Sequence, residues 1–169
     1  KIVLELTRED PSSRAMVGGS ALNTASAASK HLAGCRSPPQ VRFFGAIGHD
    51  SSGELIQQAC LADRVLPCLY LDRETRTGEC AVLINGSSRE RTICCSRGAS
   101  SSLSLETLEA VISHGFDFSN ALIFATTFVL TTKPRFEVVE SLAARHRYLA
   151  LSLSSAELIR GKEQVRKHI

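Results

Sequence analysis

The stretch that decides the fold is VRFFGAIGHDSSGELIQQACLAD, residues 41–63. Its first seven residues are mostly apolar, aromatic or β-branched, which predicts a buried strand. The turn GHDSSG follows, in which we expect Asp50 to cap a helix and His49 to be exposed to solvent. Apolar residues then recur at helical spacing as far as Asp63. A strand, a glycine-rich turn and a helix in this order predict one unit of a parallel α/β sheet.

The same order of strand and helix returns near the end of the chain. Residues 121–126 (ALIFAT) predict a second buried strand, and Pro134 opens a helix after it. Residues 148–153 (YLALSL) predict a third strand, and residues 155–169 a third helix. Repeated units of this kind predict an α/β fold with a doubly wound, mostly parallel sheet flanked by helices.

A different pattern lies between these units. Residues 68–71 predict a short strand, and residues 77–84 and 91–95 predict two strands joined by the turn Asn-Gly-Ser-Ser. We expect this whole insert to be antiparallel and to form a small β lid over a site at the strand ends. Residues 100–105 are polar and predict a loop that leads to a helix over residues 106–114.

Composition excludes several classes of protein. The chain has 169 residues with 20 Lys and Arg against 17 Asp and Glu, and this net charge of +3 is too small to indicate nucleic-acid binding. No apolar run approaches the roughly 20 residues that span a bilayer, so we expect no membrane segment. The six cysteines show no C-x-x-C spacing and the five histidines no H-E-x-x-H, so no metal site is expected. We expect the cysteines to be reduced and mostly buried, as in a cytosolic protein.

The stretch VGGSALN, residues 17–23, is the first candidate for ligand binding. Two glycines allow close backbone approach, and the helix that follows offers unpaired N–H groups to a ligand. Ser20 and Asn23 add short polar side chains at the same end. The same residues also suit an ordinary turn with a serine cap, and no Walker or G-x-G-x-x-G motif is present.

Six motifs in order carry a resemblance to a known family. They are GGSALNTA (18–25), FFGAIGHDSSGEL (43–55), TGECAVLING (77–86), ERTICCSRGAS (90–100), IFATTFVLTTKP (123–134) and LSLSSAELI (151–159). Together they resemble the ribokinase-type carbohydrate and nucleoside kinases, and among these the adenosine kinases. The resemblance implies a lid strand region at residues 1–17, a first part of the α/β core at 18–64, a lid hairpin insert at 65–97 and a second part of the core at 98–169.

The resemblance also implies an activity. It is ATP-dependent phosphorylation of the adenosine 5′-hydroxyl to AMP in purine salvage, by a cytoplasmic monomer with Mg²⁺. Gly18, Gly19, Ser20 and Asn23 match the residues that hold the ribose, and Cys80, Ile93, Cys95 and Phe128 match those that contact the base. The lid arginine that steadies the transferring phosphate aligns with Arg91, and Arg89, two residues away on the same expected strand face, is the alternative.

The chain also departs from the family pattern. The family's Asn-x-x-Glu motif for magnesium, its Gly-Ala-Gly-Asp anion hole with the catalytic base, and most of its ATP pocket have no counterpart in these residues. This implies that the 169 residues alone are inactive. Ser96 and Arg97 stand where an asparagine and an apolar residue are expected. Two alternatives therefore stay open: a truncated, non-catalytic relative that binds a nucleoside or a protein partner, and a sugar kinase of the ribokinase or fructokinase type.

Overall fold

The structure is a computed structural model that describes residues 9–112, 120–131, 133–145 and 148–152. In chain order, its helices and strands are α1 (Ser20–Leu32), β1 (Arg42–Gly48), α2 (Ser51–Ala62), β2 (Leu66–Asp72), β3 (Glu79–Ile84), β4 (Arg91–Ser96), α3 (Leu105–Ile112), β5 (Leu122–Thr126), α4 (Lys133–Arg145) and β6 (Tyr148–Ser152). Two short 3₁₀ turns, Gly98–Ser102 and Thr127–Thr131, follow β4 and β5. The predicted helix over residues 155–169 lies outside the described residues.

Strands β1 and β2 form a parallel pair, with Phe44 opposite Cys68 and Gly48 opposite Asp72. Only three residues separate the end of α2 at Ala62 from the start of β2 at Leu66. The Leu66 N–H then donates to the Val41 carbonyl at 2.9 Å, which places the start of β2 beside the start of β1. The short connection makes β1, α2 and β2 one βαβ unit. The expectation that residues 68–71 belong to the antiparallel insert is therefore wrong, and these residues are part of the parallel core.

The second parallel pair is β5 and β6, which run from Leu122 opposite Tyr148 to Thr126 opposite Ser152. Helix α1 lies against both β1 and β5 and so connects the two parallel pairs. Helix α2 packs against β1 and β2, and α3 packs against β2 and α4. The predicted α/β class is confirmed, although the strands among the described residues form separate two-stranded sheets.

The lid hairpin consists of β3, β4 and the turn between them, residues 79–96. It is antiparallel, as predicted, with Cys80 opposite Cys95 and Ile84 opposite Arg91. The turn forms because the Asn85 side-chain carbonyl accepts hydrogen bonds from the N–H groups of Ser87 and Ser88, at 2.9 and 3.1 Å. The predicted loop after the hairpin is instead the 3₁₀ turn Gly98–Ser102.

The predicted lid strand region, residues 1–17, contains no strand in its described part, residues 9–17. Asp10 instead forms a turn, in which its carboxylate accepts the Ser12 N–H at 2.8 Å and its carbonyl accepts the Ser13 N–H at 2.9 Å. Residues 1–8 lie outside the described residues.

The hydrophobic core lies between the two first helices and β1. Leu22, Cys60 and Val65 are its buried centre. Around them pack Val17, Ala25, Val41, Phe43 and Ile56. None of the helices in the described part of the chain is long and apolar enough to cross a bilayer.

We predict that Leu22→Ala lowers the free energy of unfolding by about 2–5 kcal/mol, because it removes a side chain that is only 3% exposed and leaves a cavity. Leu61→Ala is the matched control, since Leu61 is 58% exposed on α2 and its loss changes stability by about 0.5 kcal/mol or less. Urea denaturation of the two variants measures both values. Equal effects would contradict the assignment of Leu22 to the core.

Candidate functional site

The N-terminus of α1 is an open, uncapped helix end. Gly19 is the N-cap with φ 104°, a conformation that favours glycine, and no side chain of the described residues caps the helix. A Cβ atom at Gly18 or Gly19 would meet no atom within 4 Å. The expectation of a serine cap is therefore not met, because Ser20 is already the first helical residue. The first N–H groups of α1 are available to a ligand with oxygen atoms.

Asn23 lies one turn into α1 and is exposed. It lines one side of a cavity of about 390 Å³ between α1 and α2. The other lining residues are Val17, Leu22, Ser26, Ala27, Lys30, Ala59 and Asp63. The lid residues do not line this cavity, so Asn23 borders two different spaces, the open end of α1 and the gap between the helices.

Four of the predicted site residues lie together on one face of the lid hairpin. Residues directly opposite each other in an antiparallel pair point to the same side. The pairs Cys80–Cys95, Val82–Ile93 and Ile84–Arg91 therefore share one face. This face is exposed: the exposed fractions of Val82, Ile84 and Ile93 are 51%, 69% and 55%. Val82 and Ile84 were not among the residues predicted for this face. The alternation of side chains along β3 could have identified them, because every second residue from Cys80 points to the same side.

Arg89, the alternative to Arg91, lies in the hairpin turn rather than on a strand. Its φ is 60°, and its N–H donates to the Asn85 carbonyl at 2.9 Å. The expectation that Arg89 shares the strand face of Arg91 is therefore wrong. The Asn85 turn ends the ladder at the Ile84–Arg91 pair, so only Arg91 is held by the strand.

Cys80 and Cys95 form a disulfide bond across the lid hairpin, with an S–S distance of 2.06 Å. They are directly opposite each other, and their Cα atoms are 4.1 Å apart. The expectation of six reduced cysteines is wrong for this pair, and cysteine chemistry gives no support to a cytosolic location. A two-residue Asn85-Gly86 turn would place Cys80 opposite Arg91, so the pairing of Cys80 with Cys95 follows only from the six-residue connection that the structure shows between Ile84 and Arg91.

Phe128 lies in the 3₁₀ turn that follows β5, and its side chain is 48% exposed. This turn packs against α4. The structure thus brings the lid residues together and the α1 residues together. Phe128 stands on a third element, while each lid strand packs mainly against the other.

The lid hairpin is joined to the core at the lid root, which we define as residues 76–78 and 97–99. The Asp50 carboxylate caps α2 by accepting the Gly53 N–H at 2.9 Å, as predicted. It also accepts the Thr77 N–H at 3.0 Å and the Thr77 hydroxyl at 2.6 Å. The Thr77 hydroxyl in turn accepts the Gly48 N–H at 2.9 Å. The buried Thr77 is a structural residue that sequence reasoning missed.

Two glycines permit this close approach of the lid root to the core. A Cβ on Gly48 would come within 2.5 Å of the Thr75 carbonyl oxygen. A Cβ on Gly98, whose φ is 49°, would come within 2.2 Å of the Arg76 carbonyl oxygen. The neighbouring Ala99 N–H donates to the same Arg76 carbonyl at 2.7 Å. The expected architectural role of the glycines in the stretch at residues 44–53 agrees with these contacts.

The surroundings of Asp50 favour its charged form. Burial of the carboxylate opposes ionisation, but the hydrogen bonds from the Thr77 side chain and from the N–H groups of Gly53 and Thr77 outweigh it, and Arg76 adds its charge. The pKa of Asp50 is therefore lowered from its ordinary value. Its hydrogen bonds contribute to stability above the unfolded pKa, and the contribution is lost as the pH falls through the lower folded value.

The described residues offer no set of metal ligands. No group of three or more His, Cys, Asp or Glu side chains within this part of the chain is arranged to hold an ion. The donor set that magnesium prefers, several converging carboxylate or carbonyl oxygens, is therefore not assembled by these residues.

The comparison with known proteins identifies the family. The sequence profile of the pfkB family of carbohydrate kinases matches residues 5–148. The chain belongs to the pfkB carbohydrate kinase family. It is 26% identical over 117 residues to the adenosine kinase of Schizosaccharomyces pombe, which covers 69% of this chain and 33% of that protein.

Several solved structures are also similar to this chain. The adenosine kinase of Schistosoma mansoni in complex with 2-fluoroadenosine matches 98% of this chain and 47% of its own, at 20% identity and a TM-score of 0.75. The apo adenosine kinase of Trypanosoma brucei brucei is 22% identical with a TM-score of 0.75, and the match covers 98% of this chain and 50% of that kinase. The fructokinase of Xylella fastidiosa is 21% identical with a TM-score of 0.66, and the match covers 84% of this chain and 44% of the fructokinase. The ribokinase-like fold is thus confirmed, and this pfkB chain spans half or less of these relatives.

We predict that Asp50→Asn lowers the free energy of unfolding by about 1–2 kcal/mol at pH 7, because neutral hydrogen bonds replace charge-assisted ones at the lid root. Asp10→Asn, the same change in an exposed turn, is the control. Chemical denaturation between pH 7 and pH 2.5 measures the difference between the wild type and Asp50→Asn. It should shrink below about pH 4, the ordinary carboxyl pKa. A difference that is independent of pH would show that the charge of Asp50 contributes nothing.

We predict that four of the six cysteines react with iodoacetamide when the chain is unfolded without reductant. These are Cys35, Cys60, Cys68 and Cys94, because Cys80 and Cys95 are joined in the disulfide. Intact mass spectrometry counts the adducts, and the same sample treated with a reductant is the control, in which all six react. Six adducts without reductant would contradict the disulfide.

Proposed function

We propose that this chain forms the nucleoside-binding side and the lid of an adenosine kinase, which transfers the terminal phosphoryl group of ATP to the 5′-hydroxyl of adenosine and produces AMP. The observation that supports this most is the common face of the lid, on which Cys80, Ile93 and Cys95 lie towards the lid root and Arg91 at the far end. An apolar surface that ends in one cation suits a base at one end and a phosphate at the other.

The ribose in this proposal binds at the open end of α1. Ser20 and Asn23 supply polar side chains for hydrogen bonds with the ribose hydroxyls, and Gly18 and Gly19 let the sugar approach the backbone. A hydrogen-bonding site rejects an analogue that lacks the hydroxyl, because its own polar groups are then left without partners. The same contacts would separate ribonucleosides from deoxyribonucleosides.

The base in this proposal is covered by the lid face and by Phe128. The exposed apolar side chains of Ile93 and Val82 lose contact with water when the lid closes, which is favourable by about 25 cal/mol per Å² of apolar surface. Phe128 is a partly exposed ring on a turn and can stack on a purine. The disulfide of Cys80 and Cys95 adds an uncharged surface with few hydrogen-bonding groups beside them.

Arg91 supplies the charge for phosphoryl transfer in this proposal. Phosphoryl transfer is catalysed mainly by positioning and by neutralising the charge on the moving group, and a planar guanidinium binds a phosphate in two places. Because Arg91 is on the lid, it reaches the phosphate only when the lid closes over the substrate. Substrate binding and chemistry are then coupled by one movement.

ATP is the co-substrate in this proposal, with Mg²⁺ accompanying it. The described residues assemble no metal site, and the chain has no Gly-Ala-Gly-Asp motif that would supply the catalytic base. We therefore propose that these 169 residues alone do not phosphorylate adenosine. The complete enzyme is proposed to act in purine salvage, as a monomer in the cytoplasm.

We predict that the chain binds adenosine more tightly than 2′-deoxyadenosine, ribose or fructose. Loss of one hydroxyl partner should weaken binding about ten- to a hundredfold, which corresponds to about 1.4–2.8 kcal/mol. Isothermal titration calorimetry measures the four affinities. Ser20→Ala and Asn23→Ala should each reduce adenosine affinity, whereas Thr24→Ala is the matched control, because the Thr24 hydroxyl already donates to the Ser20 carbonyl at 2.9 Å.

Two results of this titration would change the assignment. Equal affinities for adenosine and 2′-deoxyadenosine would remove the proposed roles of Ser20 and Asn23. Tighter binding of fructose or ribose than of adenosine would identify the chain as part of a sugar kinase instead.

A further inference from the structure

Arg135, on α4, is a buried cation that no acidic side chain of the described residues neutralises. Only 7% of the surface of Arg135 is exposed to solvent. One terminal nitrogen, Nη2, donates to the carbonyl and the hydroxyl of Ser100, but Nε has no hydrogen-bond partner. None of the ion pairs within the described residues includes Arg135. Burying a charge without an opposite charge costs free energy, so this guanidinium needs an anionic partner.

Arg97, at the lid root, adds a second guanidinium. It is exposed, and no ion pair engages it among the described residues. Its carbonyl accepts the hydroxyl of Ser100 at 2.7 Å, and Ser100 in turn accepts Arg135. Burial, and then the positive charge of Arg97, lowers the pKa of Arg135. Ser100 therefore bonds to the backbone of Arg97 and to the side chain of Arg135, which places the two residues close together.

The carboxylate that reaches the same 3₁₀ turn does not neutralise them. Asp72 accepts the Ser102 hydroxyl and the N–H groups of Glu74 and Thr75, both at 2.9 Å. Its hydrogen bonds are thus made with neutral groups, and no ion pair joins it to an arginine of the described chain. Within the described parts of the chain, no acidic side chain forms an ion pair with either arginine.

A buried hydroxyl on the next element is also unsatisfied. Thr127 is 1% exposed, and its Oγ1 has no hydrogen-bond partner among the described residues. It begins the 3₁₀ turn Thr127–Thr131, which packs against α4, the helix of Arg135. The described residues therefore have two buried side-chain polar atoms without partners, and both belong to these two packed elements. Buried polar groups of this kind normally have a partner, a bound water or an ion.

We propose that Arg97 and Arg135 bind an oxyanion of the phosphate class at the lid root. A phosphate offers several acceptors to two planar guanidinium groups, and charge-assisted bonds of this geometry are among the strongest in proteins. The site goes beyond the proposed function and is distinct from Arg91. Arg91 and Arg97 are separated by the length of β4, which is about 20 Å at about 3.3 Å per residue.

The bound anion would link the lid to the core. Arg97 belongs to the lid root, and Arg135 belongs to α4, which packs against α3 and the turn of Phe128. An anion held by both arginines replaces their repulsion by a common attraction. It therefore stabilises the position of the lid root relative to α4.

The test uses the whole chain and inorganic phosphate as the probe, measured by equilibrium dialysis at low ionic strength and pH 7. We expect saturable binding of one phosphate per chain. Arg97→Gln should weaken this binding at least tenfold, the effect of losing one charge-assisted hydrogen bond. Arg36→Gln removes the same charge from an exposed loop residue and is the matched control, with an affinity within about twofold of the wild type.

Arg135→Lys completes the set, because lysine keeps the charge but loses the guanidinium fork, and it should also weaken phosphate binding about tenfold. If this variant fails to fold, the exposed Arg97 decides the question. Tripolyphosphate separates the two sources of the anion. Binding at least tenfold tighter than that of phosphate indicates the phosphate chain of a nucleotide, and equal or weaker binding indicates free phosphate.

Two results would overturn the proposal. One is the absence of saturable phosphate binding to the wild-type chain, and the other is equal phosphate affinity of Arg97→Gln and Arg36→Gln. Adenosine binding is measured separately in the same variants. A chain that binds phosphate but not adenosine would refute the proposed function and leave the anion site standing.

Discussion

The carboxylate of Asp50 holds three parts of the molecule in one place. It accepts the Gly53 N–H at the start of α2, and it accepts both the N–H and the hydroxyl of Thr77 at the lid root. The Thr77 hydroxyl then accepts the Gly48 N–H at the end of β1. The end of a core strand, the start of a core helix and the first residues of the lid are thus joined by hydrogen bonds to one charged group. The position of the lid hairpin relative to the core therefore depends on this junction.

The lid hairpin extends the effect of this junction outward. Because its two strands are in a fixed register, the face that carries Cys80 and Cys95 near the root carries Arg91 at the far end. The spacing between an apolar surface and a cation is therefore set by the backbone ladder and not by flexible side chains. In the proposed function, the apolar part of this face covers the base and Arg91 meets the transferring phosphate, so the distance between these two contacts is set by the hairpin.

Some residues of the lid root and its surroundings are unusual for a region with a purely structural role. The disulfide joins the two strands close to the root, and the exposed Arg97 follows directly after them. The buried Arg135 approaches the same place from α4, and among the described residues its side chain bonds to Ser100. Polar and charged groups are thus concentrated where the lid meets the core, which is the place of the proposed anion site.

By itself, the sequence determined the order of strands and helices in the described residues, the antiparallel hairpin with its Asn85 turn, the Asp50 cap and the family, because these depend on local periodicity, turn chemistry and ordered motifs. The tertiary structure decided the partner of each strand, and it placed residues 68–71 in the parallel core. It also decided the disulfide, the role of Thr77, the turn position of Arg89 and the unbalanced charge of Arg135. Contacts between residues far apart in the chain depend on which surfaces pack together, and a single sequence carries no direct record of that packing.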